Sequence, residues 1–125
     1  NRWENFSLLQ AAVSKSDNFG TIRTYDNVYT GWLAFPMILT NKLRGKRKEF
    51  QIFLEKAGVQ TRTIFTGNIL RQPVAKKFKW DSHDTFEVSD EIMQNGLLLG
   101  CHNQMTKEKI DFMIEKVMEA ESALV

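Results

Sequence analysis

The sequence has 125 residues, of which 42% are hydrophobic and 26% are charged, and its formal net charge is +2. This composition is that of one ordinary globular domain, and so small a charge does not by itself indicate a polyanionic partner. The longest apolar runs, 32–39 and 96–101, are far shorter than the roughly 20 residues of a membrane span. The only cysteine, Cys101, excludes an internal disulfide and any metal site built on several thiolates. Because the chain opens without an initiator methionine or a leader, we expect it to be a segment of a longer protein.

The first predicted elements are a helix and a strand. Apolar residues at helical spacing predict a helix over 3–13. Residues 14–29, rich in Ser, Asp, Asn, Gly and Tyr, are predicted to form an irregular loop. The aromatic and aliphatic run 30–39 predicts a buried strand. Pro36 indicates an edge or a bulge there, because proline cannot donate a hydrogen bond to a strand ladder.

The middle of the chain predicts a second helix, over 42–57. Asn41 precedes it as a suitable N-cap, and Gly58 follows it as a residue that favours the left-handed helix stop. Residues 59–65 alternate enough to predict a short strand, which the turn-forming cluster 66–68 closes.

Two helices and one strand are predicted in the last third of the chain. Ser89 is expected to cap a short helix that ends at Gly96. The apolar run 97–101 predicts a third strand, and Thr106 is expected to cap a final amphipathic helix. Helices that alternate with strands indicate an α/β (α+β) fold, with a small three-stranded sheet packed against about four helices.

The segment 66–88 is the place where a functional loop is expected. It is long for a connection inside a compact domain, and such loops are disproportionately functional. No catalytic motif stands alone in the sequence, which has neither a glycine-rich phosphate loop nor a strand-turn-helix nucleophile elbow. His83 and His102 are isolated and do not have the spacing of paired metal ligands.

Three runs carry a resemblance to a known family. They are WLAFP at 32–36, GVQTRTIFTGNILRQP at 58–73 and IMQNGLLLGCH at 92–102. In order and spacing they resemble the C-terminal part of the DegT/DnrJ/EryC1/StrS aminotransferase family. The Thr-Arg element at 61–62 and the Gly-Asn-x-x-x-Gln-Pro element at 67–73 are most similar to the branch that contains nucleotide-activated 4-keto-6-deoxyhexose 3-dehydratases.

This resemblance implies that residues 1–125 are the C-terminal small domain of a homodimeric, cytoplasmic enzyme of fold type I. Such enzymes use pyridoxal 5'-phosphate (PLP) and act on a nucleotide-linked keto-sugar in surface-polysaccharide or deoxysugar biosynthesis. The cofactor would be held by a large domain outside this chain, through a Schiff-base lysine or, in the dehydratases, a histidine in its place. The chain alone would then be inactive and would contribute side chains that orient the substrate.

The same resemblance places five candidate substrate-binding residues. Arg62 offers a planar fork to a phosphate or carboxylate, with a surface salt bridge as the alternative. Asn68 and Gln72 could bond sugar hydroxyl groups, although an asparagine after glycine equally suits a tight turn. Arg71 could reach the nucleotide diphosphate or be merely solvated. His102 follows the third strand, where the family often has a histidine, but the residues after it depart from the commoner His-x-Gly pattern.

Three further residues are interpreted as core. Cys101 is expected to be a small buried hydrophobe, because nothing near it in the sequence would lower its pKa. Trp32 and Phe35 could line a sugar or base site, but aromatic residues in a strand are more often buried.

The basic run 42–48 provides an alternative of another class, a nucleic-acid-binding module. Its aromatic neighbours Phe50 and Phe53 fall on the apolar stripe of the predicted helix, so we expect no stacking surface and no nucleic-acid partner. A protein-interaction domain would have to use the terminal helix, whose apolar stripe is more simply explained as core. No membrane partner is expected.

Overall fold

The computed structural model describes residues 2–79, 81 and 85–125, so the part of the predicted loop that includes His83 lies outside the described residues. Its helices and strands alternate along the chain much as the sequence predicts. In chain order they are α1 (Arg2–Val13), β1 (Phe19–Thr21), β2 (Ala34–Leu39), α2 (Arg47–Lys56), β3 (Thr61–Thr63), α3 (Glu87–Asn95), β4 (Gly96–Gly100) and α4 (Lys107–Leu124). Short 3₁₀ turns occupy Asn41–Leu43, Ile69–Arg71 and Pro73–Lys77.

The four strands form one antiparallel sheet in the order β1-β2-β4-β3. The predicted mixed fold with four helices is confirmed, but the predicted count of three strands is one too few. The additional strand, β1, lies inside the segment 14–29 that was expected to be a loop. Its three residues are too few to show a period of two, and it forms because its backbone pairs with β2.

One face of the sheet carries the core. Alternate residues of β2 and β4 are buried, as the two-residue period of strands requires. They form one apolar cluster with residues of α1, α2 and α4, which cover this face. Fully burying a leucine or phenylalanine side chain contributes about 1.5–3 kcal/mol. The cluster includes Phe6, Leu9, Phe35, Met37, Leu54, Leu97, Leu99, Ile110 and Val117.

The opposite face of the sheet, called here the open face, is covered less. Its β2 and β4 residues are half-buried except Gly96, where the side chain of Ile64 and the end of α3 approach closely. Pro36 lies on this face, beyond the ladder to β1, which pairs only with residues 37–39. At Pro36 the strand therefore has a partner on one side only, and the predicted edge position is confirmed locally.

Aromatic rings connect α1 to β2. The ring centroids of Phe6 and Trp32 are 4.2 Å apart and nearly parallel, and Phe6 and Phe35 are 5.1 Å apart. Phe35 is fully buried and Trp32 packs against the core, so the interpretation of both as core residues is confirmed. The strand itself is shorter than the predicted 30–39, and Trp32 precedes it.

The predicted start of the second helix, at residue 42, is wrong. Gly45 has φ +83°, which interrupts the helical backbone, and α2 begins only at Arg47. Asn41 is not an N-cap but lies within a 3₁₀ turn, where its amide donates to the carbonyl of Asp17. At the other end, Gly58 follows the helix with φ +85°, which confirms the predicted stop.

The remaining boundaries differ by a few residues. Strand β3 covers less than the predicted 59–65, because the chain turns after Thr63. Ser89 does not cap α3; the helix begins two residues earlier, after Phe86. Thr106 does cap α4, since its hydroxyl accepts a hydrogen bond from the amide of Lys109. Among the described residues no helix is both long and apolar enough to cross a bilayer.

Candidate functional site

Arg62 lies on the open face of the sheet. In the β3–β4 ladder it is directly opposite Leu98, so the two side chains point to the same side. It borders a groove of about 700 Å³, called here the Arg62 groove, together with Leu33, Gln60, Phe65 and Leu98. Arg62 is exposed and has no ion-pair partner in the described part of the chain. The alternative of a surface salt bridge therefore finds no partner there.

A second groove, of about 490 Å³ and called here the His102 groove, adjoins the first. Gln60 and Gly100 line both grooves, so Arg62 and His102 lie on neighbouring parts of one surface. The His102 side chain is exposed, and its carbonyl accepts a hydrogen bond of 2.9 Å from the amide of Asn5 on α1. That bond fixes the backbone where the chain leaves β4.

Asn68 and Arg71 meet at a residue that the sequence did not single out as a functional candidate, Asp90 of α3. The Asn68 amide donates to Oδ1 of Asp90 at 2.9 Å. The Arg71 guanidinium donates from Nη2 to Oδ2 at 2.7 Å and from Nε to Oδ1 at 3.0 Å. These three residues, called here the Asp90 cluster, join the segment after β3 to the first turn of α3.

The charges in the Asp90 cluster compensate each other. The hydrogen bonds from Arg71 and then Asn68 lower the pKa of Asp90, and the bond to Asp90 raises the pKa of Arg71. Asn68 is buried, and its side-chain oxygen also accepts the amide of Leu70 at the start of a 3₁₀ turn. Asn68 therefore stabilises a turn, which is one of the two roles that the sequence left open for it. A contact of Asn68 with substrate stays a prediction.

Gln72 closes the same segment. Its side-chain amide donates to the carbonyl of Thr66 at 2.8 Å. Residues 64–72 are called here the 64–72 loop. The bond from Gln72 holds this loop internally, and the bonds from Asn68 and Arg71 to Asp90 attach it to α3. The structure brings Arg62 and His102 to one surface and gives Asn68, Arg71 and Gln72 positions that shape the loop beside it.

Two residues of this region were missed by sequence reasoning. Asp90 lies inside the short helix predicted after Ser89, and no local pattern links it to residues 19 and 22 positions away. Phe65 was assigned to a strand, although it is 84% exposed at the edge of the Arg62 groove. An aromatic residue between a short strand and a Thr-Gly-Asn turn was the only signal that could have drawn attention to it.

Cys101 is buried, which confirms its assignment to the core. Burial raises the pKa of its thiol, and the sulfur lies 3.7 Å from the carbonyl oxygen of Trp32, to which it donates. Among the described residues no group of three or more His, Cys, Asp and Glu side chains could hold a metal ion.

The basic run 42–48 and the terminal helix α4 give little support to the two alternative functions, nucleic-acid binding and protein interaction. Arg44 pairs with Glu91, and the Lys46 ammonium donates to the carbonyl of Leu124. Phe50 is fully buried and Phe53 packs against the core, so neither presents a stacking surface. The apolar stripe of α4 lies in the core, as expected. The absence of a nucleic-acid partner stays a prediction.

Comparison with known proteins decides the family. Residues 1–118 match the model of the DegT/DnrJ/EryC1/StrS aminotransferase family. The chain belongs to this family. The resemblance carried by 32–36, 58–73 and 92–102 is thereby confirmed.

The chain resembles two curated proteins over only part of their own length. It is 28% identical over 119 residues to the lipopolysaccharide biosynthesis protein RfbH of Salmonella typhimurium, covering 94% of this chain and 27% of that protein. It is 30% identical over 87 residues to the GDP-4-keto-6-deoxy-D-mannose 3-dehydratase of Escherichia coli O55:H7, covering 69% of this chain and 22% of that protein. The chain thus spans about a quarter of the length of these relatives, and the predicted similarity to the 3-dehydratase branch is confirmed.

Two solved structures show the same fold. The E. coli GDP-4-keto-6-deoxy-D-mannose-3-dehydratase with bound hydrated PLP superposes with a TM-score of 0.82 at 24% identity, covering 93% of this chain and 30% of that chain. The aminotransferase TlmJ from Streptoalloteichus hindustanus gives a TM-score of 0.78 at 15% identity, covering 98% of this chain and 31% of that chain. The fold of this chain therefore recurs in a dehydratase and in an aminotransferase.

Proposed function

We propose that this chain is the C-terminal small domain of a longer PLP-dependent enzyme, an aminotransferase or 3-dehydratase that acts on a nucleotide-linked 4-keto-6-deoxyhexose. Family membership and the names of the E. coli and Salmonella relatives support this function, in surface-polysaccharide or deoxysugar biosynthesis. The observation that carries the domain's part in it is Arg62, an exposed guanidinium on the open face beside a groove. Homodimer formation and a cytoplasmic location belong to the same proposal.

The described residues do not fit a PLP site of their own. A Schiff-base amine must be enclosed and must lose its proton readily, which burial promotes. No lysine is buried among the described residues, and Lys109, at the edge of the His102 groove, is exposed. We therefore assign the cofactor to the part of the longer enzyme outside this chain, and expect the isolated chain to show no specific PLP complex and no turnover.

The role proposed for this domain is to bind and orient the substrate. The Arg62 fork can make two parallel hydrogen bonds to a phosphate or carboxylate, which fixes both the position and the rotation of the bound group. His102, on the neighbouring groove, can donate to or accept from a sugar hydroxyl. The Asp90 cluster and Gln72 hold the 64–72 loop beside these residues. Orientation of this kind can lower the barrier of a step performed elsewhere in the enzyme.

The test uses the protein expressed from the complete reading frame that encodes this chain. With PLP, an amino donor such as L-glutamate and GDP-4-keto-6-deoxy-D-mannose as the probe substrate, we expect Arg62→Ala to lower kcat/KM about 100-fold, because a charge-assisted double hydrogen bond is lost. Arg62→Lys should recover only part of the loss, since an ammonium keeps the charge but not the fork.

Arg23→Ala provides the control, because Arg23 is also exposed but lines neither groove. It should leave kcat/KM unchanged. Unchanged kcat/KM in Arg62→Ala would remove Arg62 from the site. A protein that forms no PLP complex and turns over neither this substrate nor its dTDP-linked counterpart would overturn the proposed function.

A further inference from the structure

Phe65 combines two features that are unfavourable for a residue with only a structural role. Its side chain is 84% exposed to solvent. Its backbone has φ +46°, in the left-handed region that glycine adopts freely but other residues enter at a cost. A strained, exposed aromatic residue contributes little to the stability of the described chain, so its position calls for another explanation.

The 64–72 loop is built to keep Phe65 in this position. Two residues further on, Gly67 has φ +65°, and a Cβ at that position would lie 2.4 Å from the Cβ and Cγ atoms of Met93. The Asp90 cluster holds the following 3₁₀ turn to α3, and Gln72 bonds back to Thr66. Strain persists only where the surrounding structure determines the conformation, and these contacts surround Phe65 on its C-terminal side.

The Arg62 groove next to Phe65 has a mixed lining. Arg62, Gln60 and Thr63 bring polar groups, whereas Phe65, Leu33 and Leu98 bring apolar ones. Leu33 is 76% exposed, so two apolar side chains of this groove are largely open to solvent. Arg62 has no ion-pair partner among the described residues, so an apolar protein segment that covered the groove would bury its guanidinium at a considerable desolvation cost. A pyranose carries hydroxyl groups on its edge and C–H groups on its faces, and it can satisfy both parts of the lining.

We propose that Phe65 is a specificity-determining residue whose ring contacts the apolar face of the hexose in the nucleotide sugar. This inference rests on the proposed function and adds a residue and a contact to it. The ring lies at the edge of the Arg62 groove, three residues after Arg62, so that one side chain binds an anionic or hydroxyl group while the other covers the C–H face. Discrimination for a 6-deoxyhexose follows, because an aromatic wall favours a methyl group over a hydroxymethyl group.

The test measures substrate binding and stability separately in the enzyme expressed from its complete reading frame. Phe65→Asn should raise KM for GDP-4-keto-6-deoxy-D-mannose about tenfold, while the Kd for GDP alone stays unchanged. Its Tm should be unchanged or higher, because asparagine tolerates the left-handed backbone. Phe65→Tyr, which keeps the ring, should have KM close to the wild-type value. Val88→Ala, at a valine that is 74% exposed on α3, is the control and should change neither KM nor Tm.

Three results would overturn the inference. If Phe65→Asn leaves KM unchanged in an active enzyme, the ring does not contact the sugar, and the proposed function survives. If the Kd for GDP rises as much as KM, the ring contacts the nucleotide. If Tm falls while KM is unchanged, the ring packs against another part of the protein. A wild-type enzyme without turnover would instead remove the proposed function together with this inference.

Discussion

The two faces of the four-stranded sheet are held by different kinds of interaction. On the core face, β2 and β4 present buried side chains to three helices, and apolar packing determines the arrangement. On the open face, Arg62, Leu98 and the 64–72 loop border a groove, and the loop is fixed by the Asp90 cluster, by one close glycine contact and by a bond within the loop.

This difference separates stability from recognition. Apolar packing is distributed over many residues and tolerates volume-conserving exchange. A loop held by a few directional hydrogen bonds tolerates fewer substitutions, but it positions an exposed group such as Phe65 accurately. We therefore expect substitutions on the core face, and of the residues that hold the 64–72 loop, to act mainly on unfolding, and substitutions of Arg62 and Phe65 to act mainly on the substrate.

The largest expected effect compares the same substitution at two leucines. Leu99 is 1% exposed and Leu33 is 76% exposed. Leu99→Ala should lower the free energy of unfolding by about 3–5 kcal/mol, because it removes apolar contacts and leaves a cavity. Leu33→Ala should change it by no more than about 0.5 kcal/mol. Urea unfolding of both variants measures this, and a cost at Leu33 comparable to that at Leu99 would break the distinction between the two faces.

The next effect concerns the glycine that supports Phe65. Gly67→Ala places a Cβ 2.4 Å from Met93 on a backbone with φ +65°, so both a steric and a conformational cost arise. We expect a loss of about 3 kcal/mol in the free energy of unfolding. Gly45→Ala is the matched control, because Gly45 has φ +83° but no atom within 4 Å of the added Cβ. It should cost only about 1–2 kcal/mol, the conformational part.

Equal losses in the two alanine variants would show that Met93 moves aside without cost. In that case the support of Phe65 would rest on the hydrogen bonds of the loop alone. Thermal unfolding and urea unfolding should agree on the order of the two variants.

The core face was largely predictable from the sequence, and the open face was not. Helical spacing in 3–13 and in the final helix identified most of the residues that α1 and α4 bury, because burial follows the helical period, but it did not identify Asn5 or Ala120. Strand β1 was missed, since three residues carry no period and its formation depends on pairing with β2. The start of α2 was missed because a favourable cap at Asn41 does not reveal the positive φ of Gly45 four residues later.

The candidate site was predictable only as a set of residues. The Thr-Arg and Gly-Asn-x-x-x-Gln-Pro elements drew attention to Arg62, Asn68, Arg71 and Gln72, but not to what they contact. Asp90 joins two of them across 19 and 22 positions, a distance that no local pattern encodes. The exposure of Phe65 depends on the backbone of the turn, which tertiary contacts determine.

A smaller effect is expected at Asn68, where two substitutions separate its two bonds. Asn68→Ala removes both the acceptor for the Leu70 amide and the donor to Asp90, and should cost about 1–2 kcal/mol in the free energy of unfolding. Asn68→Asp keeps the acceptor but places a second carboxylate beside Asp90. At neutral pH it should be less stable than Asn68→Ala, and at acid pH this order should reverse. If Asn68→Asp were as stable as wild type at neutral pH, Asn68 would stabilise the fold only by accepting the Leu70 amide, and its bond to Asp90 would contribute nothing.

The smallest effect, a dependence on pH, tests the Asp90 cluster directly. Because Arg71 and Asn68 lower the pKa of Asp90 in the folded state, the folded protein binds fewer protons at this residue than the unfolded chain does. The stabilisation is therefore complete above the ordinary aspartate pKa of about 4, and it is lost as the pH falls through that range towards the lower folded pKa.

Urea unfolding should show a gap in the free energy of unfolding between wild type and Asp90→Asn that is constant between about pH 7 and pH 5 and narrows below about pH 4. The narrowing should be smaller when both proteins also carry Arg71→Ala, because the bond from Arg71 is the largest cause of the lowered pKa. A gap that stays constant down to about pH 3 would mean that Asp90 holds the 64–72 loop without its charge, and that the loop is positioned by hydrogen-bond geometry alone.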